Sequence, residues 1–310
     1  MPRFRSIGMK ALVLLPLAVI LALAGCSKSP PPGPKMFASR EEASKAVYDA
    51  AKAGDSNTLL TIFGPDARDI LLSGDAVQDQ AGLSKFTASY DQMHRWGRLE
   101  DGGMVLDVGA DNYPFPFPLL MSSSGQWYFD GNSARGEIVA RRIGANELAT
   151  IDVLYAVADA QAEYYSLTHD GSTVQQYAQK FVSDEGKQNG LYWKPAENQP
   201  ESPLGPLAAF SSAEGYTSEN FQPFHGYIYR IITKQGAQAQ GGAQNYIVNG
   251  NMTAGFAILA YPAEYRNSGV MSFFINQEGT VVQKDLGEKT ADDAKAITEF
   301  NPDDTWKPVE

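Results

Sequence analysis

The residue types that most often carry catalysis or hold metal ions are sparse and scattered in this chain. Its three histidines are His94, His169 and His225, and none has a further metal ligand two, three or four residues later. Metal sites need such clusters, so we expect no metal and no cofactor. The histidines are then surface or capping residues rather than general bases. His225 is the best placed of the three, because its stretch is rich in aromatic residues: Tyr216, Phe221, Phe224 and Tyr227.

Other catalytic patterns are equally weak. The chain has no Gly-x-Ser-x-Gly elbow to hold a nucleophilic serine. The glycine-rich stretch at residues 236–242 lacks the Lys-Ser/Thr that ends a phosphate-binding loop, so it indicates a hairpin loop. Closely spaced carboxylates could do glycoside chemistry in a cleft, but we expect them to be solvated. They are Asp66 with Asp69, Asp75 with Asp79, and Asp303 with Asp304. The sequence therefore predicts no catalytic residues.

Cys26 is the single cysteine of the 310-residue chain, and it follows Leu23-Ala24-Gly25. Three basic residues among the first ten precede an apolar run at residues 11–23, which is the layout of a secretory signal. The run is shorter than the roughly 20 residues that span a bilayer, and Pro16 interrupts it. Residues 23–26 resemble the bacterial lipobox, in which the cysteine thiol carries a lipid. We predict a signal peptide at residues 1–25 and lipid attachment at Cys26.

The predicted lipid places the protein at the cell envelope. Several acyl chains anchor a protein stably, and Ser27 in place of an aspartate favours the outer membrane, with the protein facing the periplasm. The formal net charge is −11, and it becomes about −14 without residues 1–25, which hold three cations and no carboxylate. Nucleic-acid binding needs clustered cations, so we expect none. The expected partners are the membrane, through the anchor, and an envelope protein or the cell wall.

The remaining chain reads as an α+β protein with two units. Residues 26–38 hold the lipidated cysteine and a proline-rich tether, which favours an extended chain. Residues 39–144 form an N-terminal domain of the cystatin or nuclear transport factor 2-like kind. It begins with helices, the first of them opened by a capping box at residues 39–42. An antiparallel sheet follows.

Residues 145–289 form a second α+β domain. Its long helix is predicted to start at Asn146 and to run to Tyr165, with apolar residues at helical spacing. Strands are predicted after residue 226, and we expect the helix to pack on their antiparallel sheet. A final short helix and a tail occupy residues 290–310.

Residues 113–118 alternate aromatic residues with prolines inside a predicted strand. Proline cannot donate to a β-ladder, so this segment must lie at a sheet edge or leave the ladder. Its aromatic side chains either bind another chain or a glycan, or close the core of the first domain. The candidate binding surface comprises Tyr113, Phe115, Phe117, Tyr192, Trp193 and His225.

Several stretches of the chain match one family. They are Ser73-Gly74-Asp75 and residues 114–119, 127–130, 141–148, 159–161, 202–207, 224–227 and 255–271. With them, the chain after residue 26 resembles, along nearly its whole length, the bacterial lipoproteins that contain domain of unknown function 2950 (DUF2950). The resemblance implies an exported lipoprotein and implies no activity.

Residues 146–166 also resemble the head-domain helix of type IV pilins and pseudopilins. Tyr261-Pro262 and Ser268-Gly269 resemble parts of the pilin sheet. The resemblance implies a long helix on an antiparallel sheet in the second domain. Pilins carry a long apolar shaft before this helix, whereas the residues before Asn146 are polar enough for a soluble domain. The resemblance therefore does not imply assembly into a filament.

Two function classes follow from these features. The favoured one is a non-catalytic envelope lipoprotein that acts as a binding or scaffold module. The alternative is an envelope hydrolase that acts on glycan or peptide through a carboxylate or His225.

Overall fold

The structure is a computed structural model, and it describes residues 33–194, 201–217 and 223–309. The predicted signal peptide, Cys26 and most of the predicted tether lie outside the described residues. Within these ranges, no helix combines the length and the apolar character that crossing a bilayer requires.

The helices come before the strands in the N-terminal half, and in the rest of the chain a short helix also lies between the last two strands. The paired strands named here are antiparallel. The helices are α1 Arg40–Lys52, α2 Ser56–Phe63, α3 Arg68–Leu71, α4 Ala76–Gln92, α5 Gly131–Ser166, α6 Gly205–Glu214 and α7 Thr290–Ala296, with a 3₁₀ turn at Pro65–Ala67. The strands are β1 His94–Arg98, β2 Met104–Val108, β3 Tyr113–Pro114, β4 Leu119–Met121, β5 Trp127–Phe129, β6 Tyr227–Ile232, β7 Lys234–Gln235, β8 Gln244–Asn245, β9 Ile247–Val248, β10 Asn251–Met252, β11 Ala257–Pro262, β12 Met271–Asn276, β13 Val282–Asp285 and β14 Lys307–Pro308. The predicted α+β class is confirmed.

The N-terminal half packs α1 to α4 on a sheet of order β1-β2-β4-β5, in which β3 also pairs with β2. The predicted capping box is present, since the Ser39 side chain accepts a hydrogen bond from the Glu42 amide at 3.1 Å. Phe37 fixes the start of this half. Its amide and carbonyl pair with the carbonyl and amide of Trp127, both at 2.8 Å, and its ring is 1% exposed.

Helix α5 spans 36 residues, Gly131–Ser166, so the predicted start at Asn146 is wrong. Asp130 caps the helix, and its side chain accepts a hydrogen bond from the Asn132 amide at 3.0 Å. Glycines at positions 136 and 144 weaken the helical propensity of the first part. Ala134 and Ile138 pack in the core of the N-terminal half, and this tertiary contact stabilises the helix where propensity does not.

Asn146 is a buried residue in the middle of α5 rather than a cap. Its side chain is 3% exposed, donates to the Ser268 carbonyl at 2.9 Å and accepts from the Gln78 side chain at 3.1 Å. The sequence indicates Asn146 as a helix start. In the structure its side chain instead joins α5 to α4 and to the chain before β12.

The second half of α5 packs on a sheet of order β14-β13-β12-β11-β6. Every residue of β11 is buried, and Val153, Leu154 and Val157 of α5 belong to the same hydrophobic cluster as this strand. The predicted long helix on an antiparallel sheet is therefore present. The further likeness to a pilin head, or of the first half to a cystatin or nuclear transport factor 2 fold, stays a prediction.

Gly33–Glu310 form one compact unit, and separate hydrophobic clusters lie inside it. The larger cluster surrounds the second half of α5, and a second one includes residues from α1, α2, β4, β5 and the start of α5. The boundary predicted between residues 144 and 145 lies inside α5. The division into domains at 39–144 and 145–289 stays a prediction.

Candidate functional site

A groove of about 600 Å³ opens between α4 and residues 108–117. Apolar side chains form most of its wall: Val47, Leu59, Phe63, Ile70, Leu83, Phe86, Val108, Phe115, Phe117 and Ile138. Its polar lining residues are Ser73, Gln78, Asp79, Lys85, Ser89, Gln92, Asp111 and Arg142. A concave, mainly apolar wall with a few polar groups is typical of small-molecule sites.

One face of α4 forms a long side of this groove. Asp79, Gly82, Phe86 and Ser89 line it and recur every three or four residues, which places them on the same side of a helix. Among the residues of α4, Tyr90 is the one that is buried. Leu83 and Phe86 on the groove face are partly exposed, because the core against which they pack covers only part of each side chain.

The proline-rich segment forms the opposite side. The ladder is interrupted between β3 and Leu119, as the alternating prolines predict. Phe117 turns into the core, where its ring stacks on Phe63 at 4.1 Å and it is 4% exposed. The Phe115 ring packs on the Phe86 ring of α4, with centroids 4.9 Å apart, so the two sides of the groove are in contact there. Both residues line the groove, and Phe117 also serves the core.

Tyr113 lies at the rim of the groove. It is 53% exposed, and its hydroxyl oxygen accepts a hydrogen bond from the Arg141 guanidinium at 3.1 Å. Arg141 also pairs with Glu137 at 2.6 Å. The three aromatic residues predicted in this segment therefore all line one groove, from a buried floor to an exposed edge.

Asp79 is the half-buried carboxylate of the groove. Its two oxygens lie 3.0 and 3.2 Å from the Ser73 amide, which donates to them. Burial raises the pKa of Asp79 above its ordinary value, while the hydrogen bonds from Ser73 and the charge of Arg142 act in the opposite direction. The prediction that Asp75 and Asp79 are solvated is wrong, because Asp75 is 1% exposed.

Arg142 is the half-buried cation of the same region. Its guanidinium donates to the Asp69 carbonyl at 2.8 Å, to the Asn267 side chain at 2.6 Å and to the Ile70 carbonyl. Burial lowers the pKa of Arg142, and the nearby carboxylates, Asp79 among them, raise it. Arginine remains charged at any physiological pH. Its hydrogen bonds join α5 to α3 and to the loop before β12.

A second polar cluster lies beside the N-terminus of α4. Asp75 caps α4, and its other carboxylate oxygen accepts from the Tyr216 hydroxyl at 2.6 Å and from the Gly226 amide at 3.1 Å. Burial and the contact with Asp75 raise the pKa of Tyr216. This cluster brings α4, the end of α6 and the entry to β6 together around one carboxylate.

His225 belongs to this cluster and has a carboxylate neighbour. Its Nε2 lies 3.0 Å from Oε2 of Glu214, and its Nδ1 lies 3.5 Å from the side-chain nitrogen of Gln78. That oxygen of Glu214 is buried, and no described donor is aligned to form a hydrogen bond with it. His225 has φ of +49°, a region that residues other than glycine seldom adopt. A histidine beside a buried carboxylate can act as a general base.

The other two histidines bind helix ends. The His94 ring stacks on Tyr90 at 3.8 Å, and its Nδ1 lies 3.0 Å from the Tyr90 carbonyl oxygen. His169 stacks on Tyr164 at 3.8 Å, and its Nε2 lies 2.9 Å from the Tyr164 carbonyl oxygen. Both contacts are of the capping kind, and His169 is buried rather than on the surface.

Tyr192 and Trp193 contact the larger hydrophobic cluster and not the groove. Trp193 is 8% exposed and belongs to the larger hydrophobic cluster, with its ring 5.7 Å from that of His169. Tyr192 packs against the same cluster. Neither residue lines the groove. The six residues of the predicted surface thus fall into three places, because the buried Trp193 serves the core and His225 serves the polar cluster.

Sequence reasoning missed the polar lining of the groove. Asp79 was visible as one of a close carboxylate pair, and Leu83 and Phe86 were visible at helical spacing. The spacing of Asp79, Gly82 and Phe86 places them on one helical face, where the small glycine leaves space between a charge and an aromatic ring. This pattern could have predicted a groove along α4. The position of Arg142 has no such signal, since it depends on how α5 packs.

The described residues contain no group of three or more His, Cys, Asp or Glu side chains that could hold a metal ion. The model of one protein family, described as a protein of unknown function (DUF2950), matches residues 34–309. No curated protein and no solved structure matches the chain. The matched range includes both the groove and the cluster around His225.

Proposed function

This chain belongs to the DUF2950 family, and we propose that it is an exported, lipid-anchored module of the cell envelope that binds a ligand without transforming it. The ligand lies in the groove between α4 and residues 108–117. Cys26 carries the anchor, the segment that follows is the tether, and the outer membrane facing the periplasm is the proposed location. The ligand comes from the cell wall or from an envelope protein that delivers it.

The groove is the observation that carries this function. Its volume of about 600 Å³ lies within the roughly 300–1,000 Å³ typical of small-molecule sites. Leu83 and Phe86 line it and are only partly buried. Covering such apolar side chains with a ligand removes them from water, which is favourable. A whole protein interface needs about 800 Å² on each partner, so a groove of this size suits a small molecule better.

The chemistry of the wall supports binding over catalysis. None of the described residues that line the groove is a histidine or a cysteine. Arg142 is already bonded to protein acceptors, and Asp79 accepts from the protein backbone. These groups can orient a ligand, but they do not form a nucleophile with an adjacent base.

Filling the groove tests the proposed function. Gly82 lies on the groove face, and a Cβ added there meets no atom within 4 Å. Gly82→Phe therefore places a ring in the groove without a clash at the backbone. The assay uses residues 27–310, since Gly33–Glu310 form one compact unit, and follows the fluorescence of the neutral apolar dye N-phenyl-1-naphthylamine.

We expect wild type to bind the dye and Gly82→Phe to lose most of that binding. Gly136→Phe is the matched control, because Gly136 is also a helical glycine with nothing within 4 Å of an added Cβ and does not line the groove. The control should bind like wild type. Equal dye binding by all three proteins would exclude the groove as the site.

A second candidate function is hydrolysis at His225. The 3.0 Å approach of its Nε2 to a buried oxygen of Glu214 favours this alternative. The test is a screen of the same protein against peptidoglycan, peptide, ester and glycoside substrates. Turnover that His225→Gln abolishes and His94→Gln retains, with folding intact in both, would establish the hydrolase. Absence of turnover on every substrate class supports the binding function.

A further inference from the structure

Asp79 and Arg142, which both line the groove, differ in the number of hydrogen-bond partners that the protein gives them. Arg142 donates to three protein acceptors, two carbonyls and the Asn267 side chain. Asp79 accepts from one residue, Ser73, whose amide is shared by both of its oxygens. No cation lies within ion-pair distance of Asp79 among the residues that the structure describes. The Asp79 carboxylate can therefore accept a further hydrogen bond from a ligand. The Arg142 guanidinium has fewer N–H groups left to donate to one.

The surrounding charge also favours a cation. The charge of Asp75 raises the pKa of Asp79. The charges of three carboxylates, Asp79, Asp69 and Glu264, raise the pKa of Arg142. Arg142 balances one of these four carboxylates, and Arg135 pairs with Asp69. Two of these four carboxylates remain without a cationic partner. Lys85 and Asp111, one charge of each sign, also line the groove, so the excess negative charge lies around Asp79. A positively charged ligand group at Asp79 reduces this local excess, whereas an anionic one adds to it.

An apolar surface leads away from Asp79 along the same helical face. Phe86 lies two turns beyond Asp79 on α4, and the Phe115 ring packs on it with centroids 4.9 Å apart. A helix rises about 1.5 Å per residue, so the seven residues from Asp79 to Phe86 span roughly 10 Å. This is the reach of a short hydrocarbon chain. The groove therefore offers a charged end and an apolar end to one molecule.

We propose, building on the function proposed above, that the ligand is a small amphipathic primary amine, with its ammonium group on Asp79 and its hydrocarbon part against the packed rings of Phe86 and Phe115. The ammonium group donates to Asp79, and charge-assisted hydrogen bonds of this kind are shorter and stronger than neutral ones. The hydrocarbon part covers the partly exposed apolar face of α4. A carboxylate in the same place would approach Asp79, a like charge.

Three ten-carbon probes that differ in the head group test this inference. They are decylamine, decanol and decanoate, each used below its micelle concentration to displace N-phenyl-1-naphthylamine from residues 27–310. We expect decylamine to displace the dye at the lowest concentration. Asp79→Asn should weaken decylamine about ten- to a hundred-fold, the range for loss of a hydrogen bond to a charged group, and should leave decanol nearly unchanged.

Asp111→Asn is the matched control, because Asp111 also lines the groove but lies on the segment after β2. It removes the same charge from the protein, so a preference for the amine that survives in this variant is local to Asp79. Loss of the preference in both variants to the same extent would show only the net charge and would overturn the inference.

The outcomes separate this inference from the proposed function. Equal displacement by all three probes, with dye binding still lost in Gly82→Phe, refutes the amine and leaves the groove as a binding site. A preference for decanoate also refutes the amine. Failure of the dye to bind wild type refutes the proposed function, and the inference with it.

Discussion

Replacing Asp75 with alanine is expected to destabilise the folded protein by about 4 kcal/mol. Asp75 is 1% exposed. One carboxylate oxygen accepts from the amides of Val77 at 3.1 Å and Gln78 at 3.2 Å and so caps α4. The other accepts from the Tyr216 hydroxyl at 2.6 Å and the Gly226 amide at 3.1 Å. Alanine removes all four contacts at once.

The magnitude follows from these contacts. Loss of a helix cap costs about 1 kcal/mol. Loss of a hydrogen bond to a charged group costs about 1.5–3 kcal/mol, and part of this cost comes from the donor left unpaired. Breaking a buried charged network costs about 3–5 kcal/mol in total. One kcal/mol corresponds to about 2–4 °C in a domain somewhat smaller than this one, so we expect the Tm to fall by roughly 8–16 °C.

Urea unfolding followed by circular dichroism measures this loss. Tyr216→Phe alone should cost about 1–2 kcal/mol. In the Asp75→Ala background it should cost little, because the hydroxyl has already lost its acceptor. Asp49→Ala is the control, since Asp49 forms an exposed pair with Lys45 and such pairs contribute about 1 kcal/mol or less. A loss below about 1 kcal/mol for Asp75→Ala, or additive effects with Tyr216→Phe, would refute the reasoning.

Further predictions concern the anchor, the groove and the loop before β6. Cys26→Ser should remove the acyl mass and release the protein from membranes, and intact-mass and detergent-partitioning measurements check this; a variant that keeps the wild-type mass shift would reject lipidation. Burial raises the pKa of Asp79 above the ordinary 3.8, so the folded state holds this proton more tightly than the unfolded state does. Its contribution to stability should therefore decrease as pH rises from about 4 through the raised pKa, and Asp79→Asn should flatten that part of a urea-midpoint profile. Over the same window decylamine should bind more weakly as pH falls, because protonated Asp79 loses its charge while Arg142 keeps its positive charge nearby. Gly226→Ala should cost more than the roughly 1–2 kcal/mol of a left-handed alanine, because φ is +71° and the new Cβ would lie 2.5 Å from the Asn146 side-chain nitrogen. Gly279→Ala, with φ of +77° and nothing within 4 Å, isolates the backbone cost in a thermal-unfolding comparison.

Local signals in the sequence predict local structure in this protein. The capping box at Ser39 starts α1 as expected, because a cap is satisfied by neighbours in the chain. The alternating prolines interrupt the ladder at residues 115–118, because a missing amide donor acts wherever the strand lies. Asn146 misled the prediction of α5 because a polar side chain can be satisfied by Ser268, which is distant in the sequence, as well as by a cap.

The groove depends on contacts that no local pattern contains. Phe115 and Phe86 are 29 positions apart, and Arg142 reaches the site from a third element. The aromatic segment stands out in the sequence because aromatic residues that alternate with prolines are unusual in a strand, and its role as a binding surface stays a prediction. Trp193 has the same composition signal but packs in the core, and only the packing of the chain separates the two cases.

The attachment of Phe37 has a mechanical consequence. If Cys26 is fixed in a membrane, tension on the tether enters the described fold close to the point where Phe37 pairs with Trp127 through two backbone hydrogen bonds of 2.8 Å. Trp127 begins β5, and the chain runs from β5 directly to Asp130, the cap of α5. Force applied at the lipid therefore meets α2 through the hydrogen bond that the Lys35 amide donates to the Ile62 carbonyl at 3.1 Å, and then β5 through Phe37. From β5 it reaches α5 through the three residues that follow Trp127. Because the first part of α5 lines the groove and its second part supports the other sheet, a pull along the tether has a short route to both halves of the molecule, through two hydrogen bonds and then along the chain.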